Sequence, residues 1–145
     1  MFKGKNMKRA IVVEHVCIEL VSNFDNFTLH LEKTLGSSDE DNLTLFNVFV
    51  QDDVTKKENR RKIKQYQLGN PTTMLRMIEN HPGAGLYIPI HLLVYETVNG
   101  RAVVEYDLPS SLLAQFYNSK IFSDSITLEN MLIKLIRIAD EGNEM

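Results

Sequence analysis

Residues 87–107 read YIPIHLLVYETVNGRAVVEYD, and this stretch decides the fold. Two runs rich in Ile, Leu, Val and Tyr flank Asn99-Gly100. Asn-Gly favours a type I′ turn, because both central residues need positive φ. The stretch therefore predicts a β-hairpin with strands over residues 87–98 and 101–107. A two-residue turn pairs Val98 with Arg101, which sets Tyr95 opposite Val104 and Tyr106 opposite Leu93. Tyr95 and Tyr106 then become diagonal neighbours on one face of the sheet. Pro89 has no N–H for a ladder and belongs near the strand's start or at an edge.

Upstream, Gly69-Asn70-Pro71 punctuates the chain. Pro71 suits the first position of a helix, where its missing N–H costs nothing, and Asn70 can cap that helix. Met74, Met77 and Ile78 form its buried stripe, Pro82 ends it, and Gly83 and Gly85 add a turn. Alternation predicts strands over residues 63–68 and 43–50. In the second of these, Leu43, Leu45, Asn47 and Phe49 share one face and Phe46, Val48 and Val50 the other. Residues 52–61 are a charged segment that reads as a loop or exposed turn. The first strand covers residues 10–20, with Val16, Ile18 and Leu20 on one face. A helix follows, with Ser22 as its N-cap and Asp25 in its first turn. Phe24, Phe27, Leu31 and Leu35 form its core stripe, and Gly36 supplies a left-handed C-cap. Downstream, Pro109 opens a short helix through Leu112, Leu113 and Phe116. A last helix over residues 127–140 follows the i, i+3, i+4, i+7 pattern through Leu128, Met131, Leu132, Leu135, Ile136 and Ala139.

Strand, helix, strand, strand, helix, strand, strand, helix, helix is the order of an α+β domain. It predicts a two-layer sandwich: one mainly antiparallel sheet of about five strands with helices on one face. A single domain spans residues 10–140, between a flexible lead-in at 1–9 and a short tail at 141–145. The chain has 145 residues, enough to bury about 68–70% of its unfolded surface without a staple. Sixteen basic against nineteen acidic residues give a net charge of −3, so no basic field points to nucleic acid. A single cysteine, Cys17, excludes an intrachain disulfide and a cysteine zinc cluster. No apolar run reaches the roughly 18–20 residues of a membrane helix. Glu14, His15 and Glu19 interrupt any secretory pattern after the basic start, which gives the expectation of a cytoplasmic protein without membrane contact.

The four histidines, His15, His30, His81 and His91, show no zinc-signature spacing, and no metal site is expected. His15 reads as a half-buried strand residue, and His81 as the end of a helix, where its cation favours the dipole. Cys17, with no partner nearby in sequence, reads as a buried inert thiol. Gly83-Ala84-Gly85 is not a phosphate loop, because a strand follows it rather than a helix. The basic run from Lys56 to Lys64 is interspersed with acids and reads as a solvated loop.

Several short motifs occur in order. They are Leu68-Gly69-Asn70-Pro71, Ala84-Gly85-Leu86-Tyr87-Ile88-Pro89-Ile90, Leu93-Val94-Tyr95-Glu96, Asn99-Gly100, Val104-Glu105-Tyr106-Asp107, and Pro109 followed by Leu112-Leu113-Ala114. Together they resemble the family called domain of unknown function 302, over about residues 11–138. The resemblance implies a small α+β domain that associates as a dimer, with a cavity suited to haem or another planar ligand. After the second strand the family usually shows an Asp-His pair. Here Asp52 and Asp53 stand in that place, and the histidine is absent.

No linear catalytic motif is present, so the leading expectation is a homodimeric binding module for a partner chain or a small planar ligand such as haem. The candidate ligand-binding residues are Asp52, Asn70, Met74, His81, Tyr95 and Tyr106. The alternative is an enzyme whose acid–base site is assembled from Asp52, Asn70, His81, Tyr95 and Tyr106. A polar cleft gathering these side chains would favour the enzyme, and an apolar patch on the open sheet face would favour association.

Overall fold

The computed structural model describes residues 3–36, 43–50 and 61–142. Asp52 and most of the charged 52–61 segment lie outside the described residues. Five strands form one antiparallel sheet: β1 (His15–Asn23), β2 (Thr44–Val50), β3 (Ile63–Gly69), β4 (Ile90–Glu96) and β5 (Arg101–Asp107), in the order β1-β5-β4-β3-β2. Four helices complete the domain: α1 (Phe24–Leu35), α2 (Pro71–Asn80), α3 (Pro109–Leu113) and α4 (Ser119–Glu141). The predicted two-layer α+β order is the observed one.

The helices cover one face of the sheet. Leu20, Tyr66, Leu68, Ile90, Leu92, Val94, Ala102, Val104 and Tyr106 point into a single core. Phe24, Phe27 and Leu31 of α1, Met77 of α2, and Leu128, Leu132 and Ile136 of α4 meet them there. The stripe predicted for α1 is thus the buried one.

The hairpin turn differs from the Asn-Gly expectation. Only Gly100 has positive φ, at 81°, and Asn99 does not. Thr97 and Arg101 close the loop through Thr97 N–H to Arg101 O at 2.8 Å, leaving three residues between them. This is the three-residue connection in which a glycine takes the left-handed place. The loop is held from its own side chain: Thr97 Oγ1 accepts from Arg101 N–H at 3.2 Å and from Asn99 N–H at 3.3 Å. It is also held from outside, where Phe24 N–H at the start of α1 donates to Gly100 O at 3.0 Å. The extra loop residue shifts the register by one, so Tyr95 faces Val103 rather than Val104. A one-residue slip exchanges faces. Tyr106 therefore lies in the core, 5% exposed, and Tyr95 lies on the opposite side.

Other corrections are local. β1 starts at His15 rather than at residue 10, because β5 ends at its partner Asp107. Asn23, not Ser22, caps α1, accepting from Asn26 N–H at 2.8 Å. Ser22 instead binds Asp140 near the end of α4: its Oγ donates to Oδ1 at 2.6 Å and its N–H to the same oxygen at 3.0 Å. Gly36 is right-handed, with φ −77°. In β2 a bulge between Leu45 and Asn47 puts Leu45 on the same face as Val48. On α2, Thr73 and Met77 are buried while Ile78 is exposed. α4 begins eight residues before the predicted start at 127, with Asn118 as its cap. Its first turns bury Ile121, Asp124 and Ser125, and the Arg76 fork at 2.7 and 3.0 Å holds the Asp124 carboxylate there.

Candidate functional site

The uncovered face of the sheet is built in rows, because antiparallel register places odd-numbered residues side by side. Nearest the hairpin turn, Ile63, Tyr95, Val103 and Glu19 stand in one row across β3, β4, β5 and β1. The next row runs Phe49, Gln65, Leu93, Glu105, Cys17 across all five strands. Beyond it Asn47, Gln67 and His91 lie on one side, and Asp107 pairs with His15 on the other. The face thus grades from apolar near the turn to polar at the far end. Val103 is 6% exposed although it lies outside the helix-side core, so its row neighbours themselves shield it.

A connected cluster runs from the polar end toward the turn. His15 Nε2 lies 2.6 Å from Glu105 Oε1, and Nδ1 lies 2.8 Å from Asp107 Oδ1. The Tyr95 hydroxyl donates to Glu105 Oε2 at 2.5 Å. The hydrogen bonds to Glu105 and Asp107 raise His15 above its ordinary 6.5. Those from Tyr95 and then His15 lower Glu105 below its ordinary 4.5. The bond to Glu105, followed by burial, pushes the Tyr95 phenol up to about 12. A carboxylate bound by donors keeps its charge, and an imidazole between carboxylates keeps its proton. His15, on β1 with its side chain 54% exposed, is bonded through both ring nitrogens. Cys17 is also exposed, not buried.

The cluster borders a pocket. A cavity of about 240 Å³ opens between residues 86–91 and the start of α3, lined among others by Tyr87, Pro89, Ile90, His91, Asp107 and Leu112. Asp107 belongs to both features: Oδ1 holds His15, and the residue lines the pocket.

The sequence-predicted residues do not converge. Asn70 caps α2, accepting from Thr73 N–H at 3.0 Å, as its place before Pro71 suggested. Met74 packs its sulfur against Gly69, so closely that a Cβ there would overlap it. His81 ends α2, stacks on Phe116 with ring centroids 4.4 Å apart, and accepts the Gly83 N–H on Nδ1 at 3.0 Å. Tyr106 is buried on the helix side, where burial and then the Glu129 carboxylate raise its phenol. Of the candidates among the described residues, Tyr95 alone belongs to the open-face cluster.

Among the described residues, no group of three His, Cys, Asp or Glu side chains is placed to hold a metal ion.

Sequence reasoning missed His15, Glu105 and Asp107. The usable signal was parity: His15 on one strand and Glu105 and Asp107 on the other are all odd-numbered, and His15 pairs directly with Asp107. No described helix is long and apolar enough to cross a membrane.

No curated protein matches the chain. A solved structure described as an uncharacterized conserved protein DUF302 from Bacillus stearothermophilus is similar, with a TM-score of 0.71 at 15% identity. The match covers 86% of this chain and 97% of that one. At that identity the likeness speaks to the fold. The family model described as Domain of unknown function DUF302 matches residues 18–140, from within β1 almost to the end of α4, and the chain belongs to that family.

Proposed function

We propose that this domain is an association module whose open sheet face receives the same face of a second copy. The supporting observation is the grading of that face. Ile63, Leu93, Tyr95 and Val103 make an apolar centre, while His15, Glu19, Glu105, Asp107, Gln65 and Gln67 surround it. An apolar centre inside a polar rim is the anatomy of a protein interface. Phe49, 47% exposed at the β2 edge, extends the apolar part.

Size supports the same reading. Four seven-residue strands and the nine-residue β1 present a face of roughly 550–600 Å² before side-chain relief, from ~3.4 Å rise and ~4.8 Å spacing. That is the scale of the ~800 Å² per partner in a standard interface. Antiparallel sheets do tolerate water on one side, but then the exposed positions are polar. Here the two rows nearest the turn set Ile63, Tyr95, Val103, Phe49 and Leu93 among Glu19, Gln65 and Glu105.

Light scattering on the purified chain tests the reading. A mass of twice 16.7 kDa at micromolar concentration supports it, and a monomer removes it.

A further inference from the structure

We propose that the pocket between residues 86–91 and the start of α3 binds a small organic amine that carries one ring, with Asp107 receiving the ammonium group. This site lies at the end of the sheet, where its Asp107 and His91 also stand at the rim of the open face.

Volume sets the size of the ligand. An engineered cavity of about 150 Å³ holds benzene, so the 240 Å³ here takes one ring and a short arm. The walls set its character. Pro89, Pro109 and Leu112 are apolar, Tyr87 adds an aromatic ring, and the two prolines are rigid, so a ring loses water there with little ordering of the protein. The lining residues with polar side chains are Asp107, His91 and Tyr87.

Charge sets the sign of the ligand. No Lys or Arg lines the pocket. His15 is shared between Glu105 and Asp107, so the cluster keeps at least one negative charge even with the imidazole protonated. Asp107 Oδ1 faces His15, and among the described residues no donor reaches Oδ2. A carboxylate fixed by one bond, with its second oxygen open beside an apolar cavity, matches an ammonium group better than an alcohol and repels an acid.

The test is an NMR titration of the full chain with phenethylamine, 2-phenylethanol and phenylacetate as probes. Phenethylamine is expected to give saturable shifts at amides of residues 86–91 and 107–112, with a dissociation constant of about a millimolar or tighter. The alcohol binds at least tenfold more weakly, and the acid gives no saturable shift. Asp107→Asn weakens the amine at least tenfold. Leu112→Trp, which fills the cavity and leaves the carboxylate in place, abolishes the shifts and stands in should Asp107→Asn fail to fold. The proposal is overturned by an absence of saturable shifts with phenethylamine, by equal binding of the alcohol or the acid, or by unchanged affinity in the folded variants.

Discussion

The Tyr95 hydroxyl donates to Glu105 Oε2 at 2.5 Å across β4 and β5, and the other oxygen of that carboxylate holds His15. One carboxylate thus ties three strands together on the open face. The Tyr95 bond is the largest cause of the lowered Glu105 pKa. Tyr95→Phe should bring Glu105 back toward its ordinary 4.5, and Glu105→Gln should lower the His15 pKa, both read by NMR titration. A His15 pKa that does not move in Glu105→Gln would show that the clamp is not formed in solution.

The same groups set a pH window. His15 is raised above 6.5, so its contribution to stability is complete below 6.5 and fades as pH rises through the folded value. Glu105 is lowered below 4.5, so its contribution is complete above 4.5 and fades as pH falls through the folded value. The two overlap fully between pH 4.5 and 6.5. His15→Ala should flatten the decline on the alkaline side of the thermal-stability profile. His15 is 54% and Glu105 26% exposed, so solvent screens the pair, the effect is small, and it should shrink as salt is added.

The turn yields a sharper prediction. Gly100→Ala forces a side chain to φ 81° and should cost about 1 kcal/mol or more. Asn99→Ala should be close to neutral, because Asn99 is not at positive φ. Denaturant unfolding of the two variants separates this loop from a type I′ turn, in which both substitutions would destabilise.

That loop also marks how far the sequence could be read. The hairpin, the α1 stripe, the Asn70 cap and the order of elements were legible, because each is a local pattern of spacing, caps and turn residues. The register was not. Whether Asn-Gly makes a two- or a three-residue loop depends on Thr97 Oγ1 and on the Phe24 N–H, which arrives from α1. The candidate site was illegible for a related reason: His15 meets Glu105 and Asp107 only once β1 and β5 are aligned. The beginning of α4 was hidden because Asp124 and Ser125 interrupt its apolar period, and the Asp124 charge is answered by Arg76 from α2.

Ser22 and Asp140 join β1 to the end of α4. Ser22 is 3% exposed, so Ser22→Ala removes a buried charge-assisted hydrogen bond and should cost about 1–3 kcal/mol. Hydrogen exchange should then rise first in the last turns of α4. Uniform loss of protection across the helix would mean that the bond does not fasten this end.

Tyr66 is fully buried, and its hydroxyl has no hydrogen-bond partner among the described residues. Burial raises its phenol far above the usual range, and the Glu32 carboxylate adds to this. Tyr66→Phe should leave stability unchanged or raise it by up to about 1 kcal/mol. A loss of more than that would show that the hydroxyl is bonded in solution.

The most direct measurement of the association account compares two leucine variants by sedimentation at micromolar concentration. Leu93→Lys places a charge at the apolar centre of the open face, and Leu75→Lys places one on exposed α2, where Leu75 is 60% exposed. The account predicts that the wild type and Leu75→Lys sediment at twice 16.7 kDa and that folded Leu93→Lys sediments at 16.7 kDa. A monomeric wild type, or a Leu93→Lys variant that stays dimeric, contradicts it.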